Sequence, residues 1–320
     1  MELKKEELMK RRGYIATMEA SYHFLADNFK TIFKYLWPYF LVASVLFGVY
    51  FIMNINTSMK MMSDPTDIAD PLTTLALLPL LFVAYLIIYG KQLTLYNDKS
   101  AGWNTVRTFK LTLWLILITL VLGIIFVAVM FLGGGFGAGL SETDPTSFGK
   151  TVLVGFVAIL ISLVLLLPYT YVFVKYLVDT KTHFRSLIFK GWLTGMRHWG
   201  YIFITTLLLS LCMGVIGIII YIPLYICGMA FYMSTSGVAQ GDASGVPSYF
   251  TILVFLVIVL TYFVYLFISI YSFTVYYYMY GNIETYEAEK GRLTLPEESS
   301  ADEVTAIEST ADETTENTVY

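Results

Sequence analysis

The distribution of charge along the chain limits its possible folds more than any other feature. Six long stretches carry no Asp, Glu, Lys or Arg, and each holds at least 20 residues. A bilayer core of about 30 Å needs about 20 helical residues, so each stretch can cross it. Lipid offers no partner to backbone N–H and C=O groups, and these continuous apolar runs lack the alternation of barrel strands. We therefore predict an all-α membrane protein with six transmembrane helices. The uncharged stretches are 35–59, 71–90, 111–141, 151–174, 198–241 and 243–283.

The basic residues are divided unequally between the two sides of these spans. Of the 20 Lys and Arg residues, 18 lie before the first span, between the second and third, between the fourth and fifth, or after the sixth. The other side holds only Lys60 and Lys150. Short loops rich in Lys and Arg stay in the cytoplasm, so we predict a multi-pass protein of the cell inner (cytoplasmic) membrane with both termini cytoplasmic. No cleavable signal peptide is expected, because about 34 charged, amphipathic residues precede the first apolar run.

These patterns predict three regions. Residues 1–34 form a cytoplasmic N-terminal amphipathic region, and residues 35–283 form the six-span membrane domain. Residues 284–320 form an acidic cytoplasmic tail, whose Thr, Ser and Glu residues bury too little apolar surface to offset the entropy of ordering, so we predict disorder. The spans are predicted at about 35–57, 72–92, 111–133, 151–175, 199–232 and 249–280.

An internal repeat is indicated by tryptophan. Trp37, Trp114 and Trp199 each stand at the predicted cytoplasmic start of an odd-numbered span, with spacings of 77 and 85 residues. This similarity predicts three copies of one unit, each an amphipathic stretch followed by a helical hairpin. Since all three hairpins would enter from the same side, the repeats are predicted to be parallel rather than inverted.

Two short segments lie at the start and at the end of the predicted membrane domain. They read Asn28-Phe29-Lys30 leading to Trp37-Pro38, and Tyr280-Gly281-Asn282-Ile283-Glu284. In these segments the chain resembles a loose superfamily of bacterial six-helix membrane proteins, which includes the membrane domain ahead of some glycerophosphodiester phosphodiesterases. The resemblance covers about residues 20 to 290 and implies six helices in an inner membrane without a defined activity. The roughly 37 residues after the last span hold no counterpart of the phosphodiesterase catalytic domain, so its activity is not implied.

No catalytic, cofactor or metal signature stands out in the sequence. The histidines are His23, His183 and His198, and none lies within four residues of another. No Gly-x-Ser-x-Gly nucleophile elbow is present, and the spans carry no Asp, Glu, Lys or Arg that could handle a coupling ion. We therefore predict a non-enzymatic protein without a cofactor or metal, and uncoupled transport stays open.

Hydroxyl side chains recur on one face of the last span. Their offsets of three, four, three, four and four residues keep them on one side of a helix. Hydroxyl groups inside lipid need partners, which tyrosines of the second and fourth spans can supply. The pattern predicts a polar seam for a lipid headgroup or amphiphilic solute, and the alternative is interhelical packing with an aromatic belt. The predicted seam residues are Tyr262, Tyr265, Ser269, Ser272, Tyr276 and Tyr280, with Tyr85, Tyr89, Tyr169 and Tyr171.

Two cytoplasmic stretches place apolar residues on one side of a helix and cations on the other. They cover 21–34 and 182–197, and such helices lie among headgroups with their cations toward anionic lipid. The leading hypothesis is therefore a non-enzymatic inner-membrane protein that organises or handles lipids, with membrane lipids, in particular anionic ones, as partners and no nucleic acid. The alternative is an uncoupled transporter or exporter subunit for an amphiphilic solute. A membrane protein partner or a homo-oligomer stays open.

Overall fold

Nine α-helices form the regular structure of the part of the chain that the computed structural model describes, residues 3–63, 69–132, 145–239, 247 and 249–294. Six stretches of these helices are long and apolar enough to cross a membrane, which confirms the prediction of an all-α integral membrane protein. The helices are α1 (Tyr14–Ser63), α2 (Ala69–Ala76), α3 (Leu78–Leu93), α4 (Ala101–Leu132), α5 (Pro145–Leu166), α6 (Tyr169–Val178), α7 (Phe184–Arg197), α8 (Trp199–Ala239) and α9 (Phe250–Thr294). The stretches that contain these candidate spans are Tyr14–Thr57, Leu72–Leu93, Ala101–Ala128, Leu153–Val178, Trp199–Ser234 and Phe250–Gly291.

Helix α9 is the centre of the bundle. Its largest contact surface is with α1, and it also packs against α8 and α6, while α3 packs mainly against α4. The largest contacts thus join helices of different predicted hairpins, and the three-hairpin repeat stays a prediction. Ile270 and Tyr278 of α9 are fully buried, together with Phe40 of α1.

The start of α1 and the end of α9 lie at the same end of the bundle. Arg11, just before α1, forms an ion pair of 2.8 Å with Glu289 near the end of α9. Helix α1 crosses the boundary predicted after residue 34 without a break, because Phe24 and Ile32 are buried in the core. Helix α9 likewise continues past residue 283 to Thr294, and the rest of the predicted tail lies outside the described residues. We call the end of the bundle where Arg11 meets Glu289 the cation-rich end.

The segment before α1, residues 3–13, lies across the cation-rich end, and we call it the N-terminal strap. The side chain of Asn28 accepts from the backbone N–H of Lys4 and donates to its carbonyl oxygen, both at 2.8 Å. The Arg12 guanidinium lies 4.9 Å from the ring centre of Tyr278, with only 3% of its side chain exposed. These contacts fix the strap on the bundle at two places.

The fourth span is interrupted between α5 and α6. Pro168 has no N–H group, so the carbonyl oxygen of Val164 loses its usual donor within the helix. The indole N–H of Trp199 donates to this oxygen at 3.3 Å, and that of Trp192 donates to the oxygen of Leu165 at 3.0 Å. Tryptophans of α7 and α8 therefore supply the hydrogen bonds that the break leaves open.

The third and fourth spans are the least buried. Only 6% of the most apolar window of each is buried within the chain, against 28% for the first and sixth spans. Exposed side chains cover most faces of α4 between residues 116 and 128. These two spans therefore leave a larger share of their most apolar window exposed than the other candidate spans do.

Candidate functional site

The predicted tyrosine seam is divided into two groups, of which the first lies between α1, α3 and α9. Tyr85, Tyr89 and Tyr262 line one cavity of about 350 Å³, which we call the tyrosine cavity. The ring centres of Tyr85 and Tyr89 are 4.4 Å apart, and Tyr262 stacks on Phe47 at 4.1 Å. Tyr265 lies beside Tyr262, at 6.1 Å between ring centres, and is partly exposed.

The second group joins α6 to α9 at the cation-rich end. The ring centres of Tyr171 and Tyr280 are 6.1 Å apart, and the Tyr171 hydroxyl donates to the carboxylate of Glu284. Lys175 Nζ lies 2.6 Å from the same carboxylate and 3.2 Å from the Tyr171 hydroxyl. Both tyrosines are almost fully buried, so this group is an interhelical contact rather than an open seam.

Among the other predicted seam residues, Tyr169 and Tyr276 pack at the edge of the buried cluster that contains Tyr171 and Tyr280. The Ser269 hydroxyl donates to the carbonyl oxygen of Leu266 in its own helix at 2.7 Å. Ser272 and Tyr276 are half-buried on α9, and Tyr169 packs on the ring of Phe173. The described ranges contain no group of three His, Cys, Asp or Glu residues that could bind a metal ion.

A larger cavity, which the sequence pattern does not predict, lies at the cation-rich end. It has a volume of about 510 Å³ and is bounded by the start of α4, the turn between α6 and α7, and the start of α7. No Asp or Glu side chain of the described part of the chain lines it. We call it the basic cavity, after the lining residues Arg107, Lys110, Lys181, His183 and Arg185.

Arg107 builds this cavity by holding the α6–α7 turn against α4. Its guanidinium donates to the carbonyl oxygens of Tyr176 at 2.5 Å, Asp179 at 2.7 Å, Thr182 at 3.0 Å and Thr180 at 3.3 Å. It also lies 4.1 Å from the ring centre of Tyr176. The planar fork of arginine suits several carbonyls at once, so Arg107 has a positioning role and few N–H groups left for a ligand.

The other three permanent cations of the cavity have no partner among the side chains and backbone groups of the described residues. The side chains of Lys110, Lys181 and Arg185 are exposed and make no hydrogen bond or ion pair with any described residue. The nearby Asp179 carboxylate accepts from the backbone N–H of Lys181 at 3.0 Å and does not line the cavity. The cavity therefore concentrates positive charge without an internal counter-ion.

The basic cavity adjoins the exposed apolar surface of α4. Leu113 and Trp114 line the cavity, and Ile116 and Leu117 continue an exposed apolar surface along the helix. Trp114 packs on Phe184 of α7 at 5.4 Å between ring centres. Tryptophan favours the boundary between headgroups and acyl chains, so this arrangement fits the membrane interface.

Comparison with known proteins gives no neighbour for this chain. No protein-family model, curated protein or solved structure matches it. The resemblance to the bacterial six-helix superfamily therefore stays a prediction, and the geometry of the site carries the functional argument.

Proposed function

We propose that this integral membrane protein binds the headgroup of an anionic phospholipid in the basic cavity and thereby organises lipid at one membrane surface. The carrying observation is that Lys110, Lys181 and Arg185 converge without a carboxylate beside a lipid-facing apolar surface. Basic pockets at membrane helix ends attract anionic headgroups, and phosphate accepts strong charge-assisted hydrogen bonds. No chemical step is required of such a site.

The geometry supports one placement of the lipid. The phosphate lies between Lys110 on α4 and the pair Lys181 and Arg185 on the opposite wall. The acyl chains then follow Leu113 and Trp114 along α4. Phe189 of α7 is 82% exposed and would enter the same interfacial layer.

The same proposal includes an orientation and a location. With the cation-rich end in the cytoplasm of the cell inner membrane, the positive-inside rule is satisfied and the basic cavity meets the leaflet that carries anionic lipids. We also propose that the chain contains the three-hairpin repeat and is related to the bacterial six-helix superfamily. Association with a membrane protein partner or with a second copy of this chain is a further part of the proposal. Reporter fusions at either terminus test the orientation.

Lipid binding by charge-neutralised variants tests the proposed function. We expect the affinity for phosphatidylglycerol to fall at least tenfold in the triple variant K110Q, K181Q, R185Q. Native mass spectrometry of the protein in nanodiscs that contain this lipid measures the affinity. The matched control K10Q, K30Q, K190Q removes the same charge from exposed positions of the same end and should retain binding. Higher salt should weaken the wild-type interaction. Equal retention of phosphatidylglycerol by both variants would reject the proposal.

A second candidate function is uncoupled transport of an amphiphilic solute, and the tyrosine cavity favours it. Its wall carries four tyrosines, Tyr50, Tyr85, Tyr89 and Tyr262, within an otherwise apolar lining. A C212S, C227S background with a single cysteine at position 85 or 262 tests access from water. Fast labelling by a water-soluble maleimide would support a pathway, and protection equal to that of a cysteine at lipid-facing position 83 would oppose it.

A further inference from the structure

We propose a second lipid site, in a groove between α1 and α3 that holds one acyl chain of a phospholipid with its phosphate at Lys91. It deepens the proposed function but lies on other helices than the basic cavity. The groove has a volume of about 390 Å³, and nearly all of its surface is apolar. It is lined on α1 by Pro38, Val42 and Leu46, and on α3 by Leu80, Val83 and Ile87.

The groove opens toward lipid and not toward the bundle. Val42 is 60% exposed, and Leu80, Val83 and Ile87 are also exposed. On its inner side Ala43, Ala84 and Ile88 separate the groove from the tyrosine cavity, since these three residues line both. The small alanine side chains leave the hollow that a chain can enter.

A cation stands at the mouth of the groove. Lys91 Nζ lies 5.0 Å and 4.9 Å from the ring centres of Tyr35 and Tyr39, and 3.5 Å from the Tyr35 hydroxyl. Tyr39 itself lines the groove. Lys91 has no carboxylate partner among the described residues, so its charge is available to an anionic headgroup. The two rings restrict the ammonium group to this position.

The length of the groove matches one leaflet. Leu80 and Lys91 are eleven residues apart on α3, which corresponds to about 16 Å along a helix. One leaflet contributes about half of a hydrocarbon core of roughly 30 Å. An acyl chain whose phosphate is held by Lys91 therefore reaches the deep end of the groove near the bilayer midplane.

Photo-crosslinking of the full chain tests this site. The probe is phosphatidylglycerol with a diazirine near the end of one acyl chain, in nanodiscs, with labelled peptides mapped by mass spectrometry. We expect labelling concentrated in 38–46 and 80–88, and at least a fivefold reduction in V83W, which fills the groove. K91Q should reduce it severalfold, while K99Q, the matched control on the same end, should not.

The outcomes separate this site from the basic cavity. Groove labelling that persists in the triple variant K110Q, K181Q, R185Q would support an independent site. Labelling spread evenly over the exposed surface of α5 as well would mean ordinary surrounding lipid and overturn the proposal. Labelling unchanged in both V83W and K91Q would also overturn it. A fatty acid diazirine that outcompetes the phospholipid would overturn the assignment of a phospholipid headgroup.

Discussion

Trp199 donates its indole N–H to the carbonyl oxygen of Val164 at 3.3 Å, across the boundary between α8 and α5. Pro168 has no N–H group to donate to this oxygen. The indole of Trp199, 35 positions away, therefore donates the hydrogen bond that a continuous helix would make internally. An interruption inside a span is tolerated where a neighbouring helix supplies such partners. Trp199 therefore has a structural role in addition to its place at the membrane interface.

We predict that Trp199→Phe lowers the free energy of unfolding by about 1 kcal/mol, which is the usual scale of an interhelical hydrogen bond in a membrane. Phenylalanine keeps the stacking partner Phe203 but loses the N–H donor. Unfolding in mixed micelles measures the change. Trp37→Phe is the control, because exposed Trp37 makes no hydrogen bond with a described residue. An equal loss of unfolding free energy in the two variants would contradict this structural role of Trp199.

We predict that Gly281→Ala loosens the N-terminal strap. A Cβ atom on Gly281 would collide with the backbone oxygen of Leu8 and lie 2.9 Å from its Cγ, so the strap has to move. The cost should be about 1–3 kcal/mol, as for overpacking in a core. Gly200→Ala meets nothing within 4 Å and should be neutral or slightly stabilising. Hydrogen exchange of residues 3–13 should accelerate only in Gly281→Ala.

The six spans were predictable because hydropathy and length are local properties of the sequence. The continuation of α1 was not, since it depends on Phe24 and Ile32 meeting residues far along the chain. The seam was predicted from helical periodicity, which places its α9 residues on one side of that helix. Periodicity cannot show that this side borders several helices, so that Tyr262 meets α1 and α3 while Tyr280 meets α6.

The basic cavity escaped prediction for a similar reason. Lys110, Lys181 and Arg185 are visible in the sequence as topology signals, but their proximity depends on the bonds of Arg107 to backbone carbonyls. Any residue type can offer a backbone carbonyl, so this contact leaves no pattern in the sequence.

We predict opposite consequences for two neighbouring cations of α4. Arg107→Lys replaces a fork that serves four carbonyls by a single ammonium group, and should lower the free energy of unfolding by about 2–4 kcal/mol. Limited proteolysis should then become faster within 179–183. Lys110→Gln should leave stability within about 0.5 kcal/mol and weaken phosphatidylglycerol binding. A loss of stability in Lys110→Gln as large as in Arg107→Lys would contradict this division of roles.

We predict that two glutamates of α9 differ in their contribution to stability. Glu284 serves both Lys175 and Tyr171, and the side chains of Glu284 and Lys175 are only 24% and 20% exposed. Glu284→Gln should therefore cost about 1–3 kcal/mol, because a partly buried ammonium group loses its counter-ion. Glu289 pairs with Arg11 where the two side chains are 43% and 58% exposed, so Glu289→Gln should cost less than about 1 kcal/mol. Both variants remove one negative charge from the same helix, so a general electrostatic effect would change their unfolding equally, and only the local contacts of Glu284 account for a difference.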